Sequence, residues 1–194
     1  MKRRGLKGPP KVPLLKHWIF DWLETIIVAL VLALIIRAFF LQVFWIPSGS
    51  MEPTLDVGDR IVVDKVSYHF REPKRLEVVV FRGVTTFGGE KRDLIKRLVG
   101  LPGETLEVKD GVININGSAV MEKHSMNADF SDFGPIKIPE RSYFVMGDNR
   151  PASADSRYWR DAEGNLIFLP KKNLIGPAFI RIWPLNKFGF IPWE

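Results

Sequence analysis

Thr105-Leu106-Glu107-Val108-Lys109-Asp110-Gly111-Val112-Ile113-Asn114-Ile115-Asn116 sets the architecture of this chain. Apolar and polar residues alternate on both sides of an Asp-Gly pair, the pattern of two half-buried strands joined by a tight turn. Working outward, Arg60–Val66, Glu77–Phe81, Leu94–Val99, Tyr143–Met146 and Ala178–Trp183 are further β-rich runs bounded by Gly, Pro and Asp. No second helical period interrupts them. The expected class is mainly β: an antiparallel β-sheet domain over residues 46–194. Residues 118–140 are polar and mixed, and read as a loop or small excursion. Asn116-Gly117-Ser118 matches a glycosylation sequon, but an Asn-Gly turn after a strand is the simpler reading.

Upstream the character changes. Thr25–Ile36 is an unbroken apolar run, and Leu23–Phe40 is interrupted only by Glu24 and Arg37. About 20 helical residues span the ~30 Å hydrocarbon core of a bilayer. Trp18, Phe20 and Trp22 stand at one end, and Phe39, Phe40, Phe44 and Trp45 at the other, as interfacial belts would. Residues 18–45 are therefore expected to form one transmembrane helix. A cleaved leader would be shorter and would end at a small-x-small site, which the flank Phe-Leu-Gln-Val-Phe-Trp lacks. Residues 1–17 form a basic tail: Lys2, Arg3, Arg4, Lys7, Lys11 and Lys16 account for the whole net charge of +6. That tail stays in the cytoplasm by the positive-inside rule, with the β domain on the far side of the plasma membrane. The remaining chain is formally neutral and has no basic patch of the kind nucleic acid requires. There is no cysteine, which excludes thiol catalysis and disulfides. No metal-ligand spacing or phosphate-binding loop occurs, so no cofactor and no metal are expected.

Three clusters carry chemistry. The first is Ile46-Pro47-Ser48-Gly49-Ser50-Met51-Glu52-Pro53-Thr54-Leu55, two serines in a proline-stiffened loop. It lies close behind the apolar run, with Ser50 within ~35 Å of Phe40 even in a fully extended chain. A serine nucleophile needs a base. The three histidines are poorly placed: His17 precedes the apolar run, and His69 and His124 sit in polar surroundings. The second cluster offers a lysine. In a strand over 94–99, Lys96 shares its face with Leu94 and Leu98, whose apolar surroundings disfavour the ammonium and lower its pKa. Arg97 points to the other side. A solvated edge lysine is the alternative reading of the same pattern. The third cluster, Met146–Arg157, is a polar loop in which Asp148, Asp155, Arg150 and Arg157 can pair with one another or with Arg97, and Ser153 can orient an amine.

In this order, behind an apolar segment, the three clusters resemble the signature boxes of the bacterial type I signal peptidases, the Ser-Lys leader peptidases. The similarity extends from about residue 20 to Trp183-Pro184-Leu185. It implies a membrane-anchored serine endopeptidase that cuts signal peptides from exported preproteins after an Ala-x-Ala-like site. By that resemblance Ser50 is the nucleophile and Lys96 the general base. Ser48 and the Ser50 amide form the oxyanion hole, and Ser153 orients the lysine. Arg97, Asp148, Asp155 and Arg157 are structural charges near the site. The implied partners are preprotein signal peptides and the lipid bilayer. Pro151-Ala152 replace a usual Asp-Asn, and Leu76-Glu77 a usual Gly-Asp. A membrane-tethered module that binds exported chains without cutting them, or a different Ser-Lys protease, remains the alternative.

Overall fold

The computed structural model describes residues 14–84, 92–123 and 131–193. The chain divides into two units, Met1–Ala38 and Phe39–Glu194. Helix α1 covers Leu14–Phe39 and exposes apolar side chains, among them Ile26, Leu30 and Leu34. Among the described residues no helix is long and apolar enough to cross a membrane. Asp21 and Glu24 lie on one side of the uncharged stretch Thr25–Ile36, and Arg37 on the other. The helix is also shorter at its C-terminal end than the expected 18–45, because Leu41–Trp45 is strand β1, paired antiparallel with Arg60–Asp64 (β2). Leu-Gln-Val-Phe-Trp suits a pleated edge as well as it suits a membrane interface. Phe44 packs against the core, while Val43 and Trp45 face outward.

The second unit is mainly antiparallel β, as its alternating runs predict. The strands after β2 are β3 (Val78–Arg82), β4 (Asp93–Gly100), β5 (Thr105–Lys109), β6 (Val112–Ile115), β7 (Ser118–Ala119) and β8 (Phe133–Lys137). They continue with β9 (Ser142–Met146), β10 (Leu169–Pro170), β11 (Leu174–Trp183) and β12 (Gly189–Phe190), and a short helix α2 spans Ser67–Phe70. An eight-stranded sheet runs β1-β2-β11-β3-β4-β9-β10, with β12 on β11. A four-stranded sheet runs β7-β6-β5-β8. Its two tight turns are local chemistry: Asp110 and Gly111 have φ of 50° and 78°, and Asn116 and Gly117 51° and 80°. Positive φ at both central residues is what two-residue hairpins need. The expected excursion over 118–140 is partly regular, since Phe133–Lys137 pairs with β5. Pro135 hid this strand from pattern reading. It is tolerated because β8 is an edge.

Strands β3 and β9 are buried on both faces, which is why Val78-Val79-Val80-Phe81 and Tyr143-Phe144-Val145-Met146 read as continuous apolar runs. Val78 and Val80 join Ile46, Met51, Leu55 and Ile191 in one core. Val79 and Phe81 join Leu98, Tyr143, Val145 and Trp159 in another. Phe144 and Met146 turn toward a third, with Val99, Leu106 and Ile113.

Leu76 holds φ at 68°, in the left-handed region. There a leucine loses ~1–2 kcal/mol to its own Cβ. Its backbone is committed on both sides: its N–H donates to the Leu98 carbonyl (2.7 Å), and its carbonyl accepts from Arg97 Nη1 (2.7 Å). Leu76→Gly should therefore cost less than about 1 kcal/mol, because relief of the left-handed strain offsets the lost burial and the freedom glycine adds to the unfolded chain. Leu101→Gly, equally half-buried but at ordinary φ, should cost about 2 kcal/mol or more. Urea midpoints of the two variants would check the difference; equal losses would contradict it.

Candidate active site

The serine segment forms a 3-10 turn over Gly49–Met51. Fully buried Met51 and Leu55 press it into the core, and the Ile46 N–H donates to the Asp59 carbonyl to close the loop. Ser50 is buried, whereas Ser48 is exposed, and the Ser48 hydroxyl lies 3.5 Å from Ser50 Oγ. Ser48 stands at the turn's N-cap without using its side chain there, so its hydroxyl is not consumed by capping. The amides that open such a turn have no acceptor within it.

Lys96 lies on β4 opposite Val79 and is 5% exposed. Its Nζ donates to Ser50 Oγ at 2.5 Å. Burial pushes the amine down from 10.5 to about 8, against the opposing pull of Asp155 and Asp148. A neutral amine reverses the bond: the Ser50 hydroxyl then donates to the nitrogen lone pair, the arrangement a general base needs. His69 is exposed on α2 and His17 lies in α1, while His124 falls outside the described residues.

Arg97 faces the other side of β4, is 1% exposed, and is paired rather than solvated. Its Nε and Nη2 donate to Asp148 Oδ1 and Oδ2 (2.8 and 2.7 Å), a bidentate fork. The Thr54 hydroxyl donates to Asp148 Oδ2 (2.5 Å). Arg97 Nη1 reaches the carbonyls of Leu76 and Pro192. One guanidinium thus joins the lysine strand, the serine segment, the polar loop and the C-terminal segment. Asp155 and Arg157 form a second pair, Nε to Oδ1 at 2.8 Å, and Asp155 Oδ2 accepts from the Gly147 N–H.

The polar loop clamps the serine turn through Asn149. Its N–H donates to the Ser50 carbonyl (3.2 Å) and its side-chain amide to the Gly49 carbonyl (3.1 Å). Gly147 makes the approach possible: a Cβ there would lie 2.4 Å from the Ser50 carbonyl oxygen and 2.3 Å from Ser153 Oγ. Ser153 is 4% exposed, and its hydroxyl makes no hydrogen bond to Lys96 or to any other described group. The structure therefore brings Ser48, Ser50 and Lys96 together, places Ser153 in the loop beside them, and leaves it unbonded. Sequence reasoning missed Thr54 and Asn149. Both lie inside the quoted clusters, yet their partners are 94 and 100 residues away in the chain.

The chain is similar to known proteins along most of its length. A family model described as "Signal peptidase, peptidase S26" matches residues 19–183. A probable signal peptidase I-2 of Synechocystis sp. is 39% identical over 88% of this chain and 77% of its own. A signal peptidase I of Leptolyngbya laminosa is 40% identical over 88% of this chain and 83% of its own. A signal peptidase I of Bacillus licheniformis is 39% identical over 89% of this chain and 92% of its own.

Proposed function

This chain belongs to the signal peptidases of family S26, serine endopeptidases of the bacterial type I kind, and from that premise we propose how it works. Neutral Lys96 takes the proton of Ser50, and Ser50 Oγ attacks the scissile carbonyl. The oxyanion is met by the Ser50 N–H and the Ser48 hydroxyl. Lys96 returns the proton to the departing amine, leaving an acyl-enzyme. Water deprotonated by Lys96 then attacks the ester and releases the signal peptide. The observation that carries this reading is the 2.5 Å approach of a buried Lys96 amine to Ser50 Oγ.

Cleavage after Ala-x-Ala is supported by a cavity of about 30 Å³ whose lining is apolar apart from Asp93: Phe44, Trp45, Ile46, Pro47, Ile61, Val80, Leu94 and Ile95 complete it. It has room for one small apolar group. Ile46 and Ile95 place it close along the chain to Ser50 and Lys96. The proposed anchor is the apolar segment Leu23–Phe40, with the basic tail in the cytoplasm and the β unit outside. Its support is the exposed apolar surface around Thr25–Ile36 and the tryptophans Trp18 and Trp22 at one end. Glu24 and Arg37 are ~20 Å apart along the helix, less than the ~30 Å core, so they would extend toward the two interfaces. Release of the protein from membranes by alkaline extraction would contradict the anchor.

The enzymatic test is cleavage of an Ala-x-Ala preprotein in detergent, with the product's new N-terminus sequenced across pH. With the base at about 8, kcat/KM should rise close to tenfold per unit from pH 5 to 7 and level off above about pH 9. A flat profile over that range, or cutting at an unrelated bond, would sink the proposal.

A further inference from the structure

The loop that carries Ser153 is tethered by a residue that belongs to neither the serine turn nor the lysine strand. Arg150 is 5% exposed, and its Nη2 lies 2.5 Å from Oε2 of Glu122, whose side chain is 8% exposed. Glu122 follows β7 of the four-stranded sheet. Two residues earlier, the Val120 N–H donates to the Ile113 carbonyl and Val120 packs into that sheet's core. The ion pair therefore ties the polar loop to the second sheet.

Arg150 closes the loop at both ends. Its Nε donates to the Gly147 carbonyl (3.0 Å), and its own carbonyl accepts from Arg157 Nη2 (2.7 Å). Beyond it stand Pro151 and Ala152, whose side chains can hold nothing by hydrogen bonding. The Ala152 N–H bonds only locally, to the Asn149 carbonyl. Ser153 comes next, buried and unbonded among the described residues; it packs against Gly147 and is held between the Arg150 tether before it and Asp155 after it, whose Oδ2 accepts from the Gly147 N–H. Asn149, directly before Arg150, is the residue that grips the Gly49 and Ser50 carbonyls. A shift of Arg150 is thus passed to the nucleophile's own turn.

Stability alone is a poor reason for this pair. Two buried charges recover little more than their desolvation, and the second oxygen, Glu122 Oε1, is buried without a partner among the described residues. We propose that Glu122 is a positioning residue for the cleavage reaction: through Arg150 it fixes the Gly147–Ser153 turn against Ser50 and Lys96. The inference rests on the Ser50/Lys96 reading above.

The test is steady-state cleavage by the full chain in detergent, comparing Glu122→Ala, Glu122→Gln and wild type, with folding followed by thermal melting. Glu122→Ala should lower kcat by about 10- to 100-fold with KM within about twofold, as a small misplacement of reacting groups does. Glu122→Gln, which keeps an acceptor for Arg150, should recover part of that loss. A purely structural role would lower the melting temperature and leave kcat per folded molecule unchanged, overturning the proposal. So would failure of both variants to fold. Ser50→Ala, run in parallel, separates the two readings. Residual cleavage by Ser50→Ala sinks the dyad. A normal kcat in Glu122→Ala beside an inert Ser50→Ala sinks only the role of Glu122.

Discussion

Ser50→Ala is expected to lower kcat/KM on an Ala-x-Ala preprotein by at least about 10³-fold in a folded protein, with Lys96→Met in the same range and the double variant hardly worse. In the proposed mechanism the two groups act on one proton, so removing either should remove the step. The lysine variant has a second, opposite signature. Wild-type Lys96 is buried with its pKa held at about 8 instead of 10.5, so at pH 7 folding carries an ammonium that Asp155 and Asp148 compensate only in part, at a cost of up to about 3 kcal/mol. Lys96→Met should be more stable than wild type at pH 7. The gap should close as pH rises from 8 to 10.5, where the unfolded chain still binds a proton that the folded one has released. Denaturant titrations at pH 7 and pH 10 would measure it. A Lys96→Met protein less stable than wild type at pH 7 would mean that the amine is hydrated.

The second large effect is on Asp148. Asp148→Ala strips Arg97 of both fork acceptors and leaves a guanidinium that is 1% exposed with two carbonyls and the Thr54 hydroxyl as its neutral partners. Breaking a buried pair from one side costs ~3–5 kcal/mol, which a urea midpoint would register. It also has a catalytic consequence of fixed sign. Asp148 pulls the Lys96 pKa upward, so without it the acid limb of kcat/KM should move to lower pH, even as the protein weakens. Thr54→Val, which leaves the charge in place, should cost about 1 kcal/mol and leave that limb alone. If the limb moves to higher pH in Asp148→Ala, water has entered and desolvation, not charge, controls the lysine.

Residues that act on their neighbours were legible. The Asp110-Gly111 and Asn116-Gly117 turns need only their own positive φ, and most β-branched runs locate their strands to within a residue or two, although β11 begins four residues before the run Ala178–Trp183, at Leu174. Leu41–Trp45 was misread because apolar and aromatic content is common to an interfacial belt and an edge strand. Only its pairing with β2 distinguishes them. Phe133–Lys137 was missed because Gly134-Pro135 reads as a turn until an edge position makes the missing N–H harmless.

The candidate site divides the same way. The alternation around Lys96 pointed to a desolvated amine through short-range pattern, and the resemblance of the three clusters to a known family pointed to Ser50. What joins them is long-range. Arg97 meets Asp148 across 51 residues of chain, Thr54 meets Asp148 across 94, and Arg150 meets Glu122 across 28. By itself the sequence determined which residues could do chemistry and which segments would be strands. Only the tertiary structure decided which charge each buried arginine takes, because several acidic residues satisfy the same composition. The choice among them is made by strand order and by the cost of leaving any one unpaired in the core.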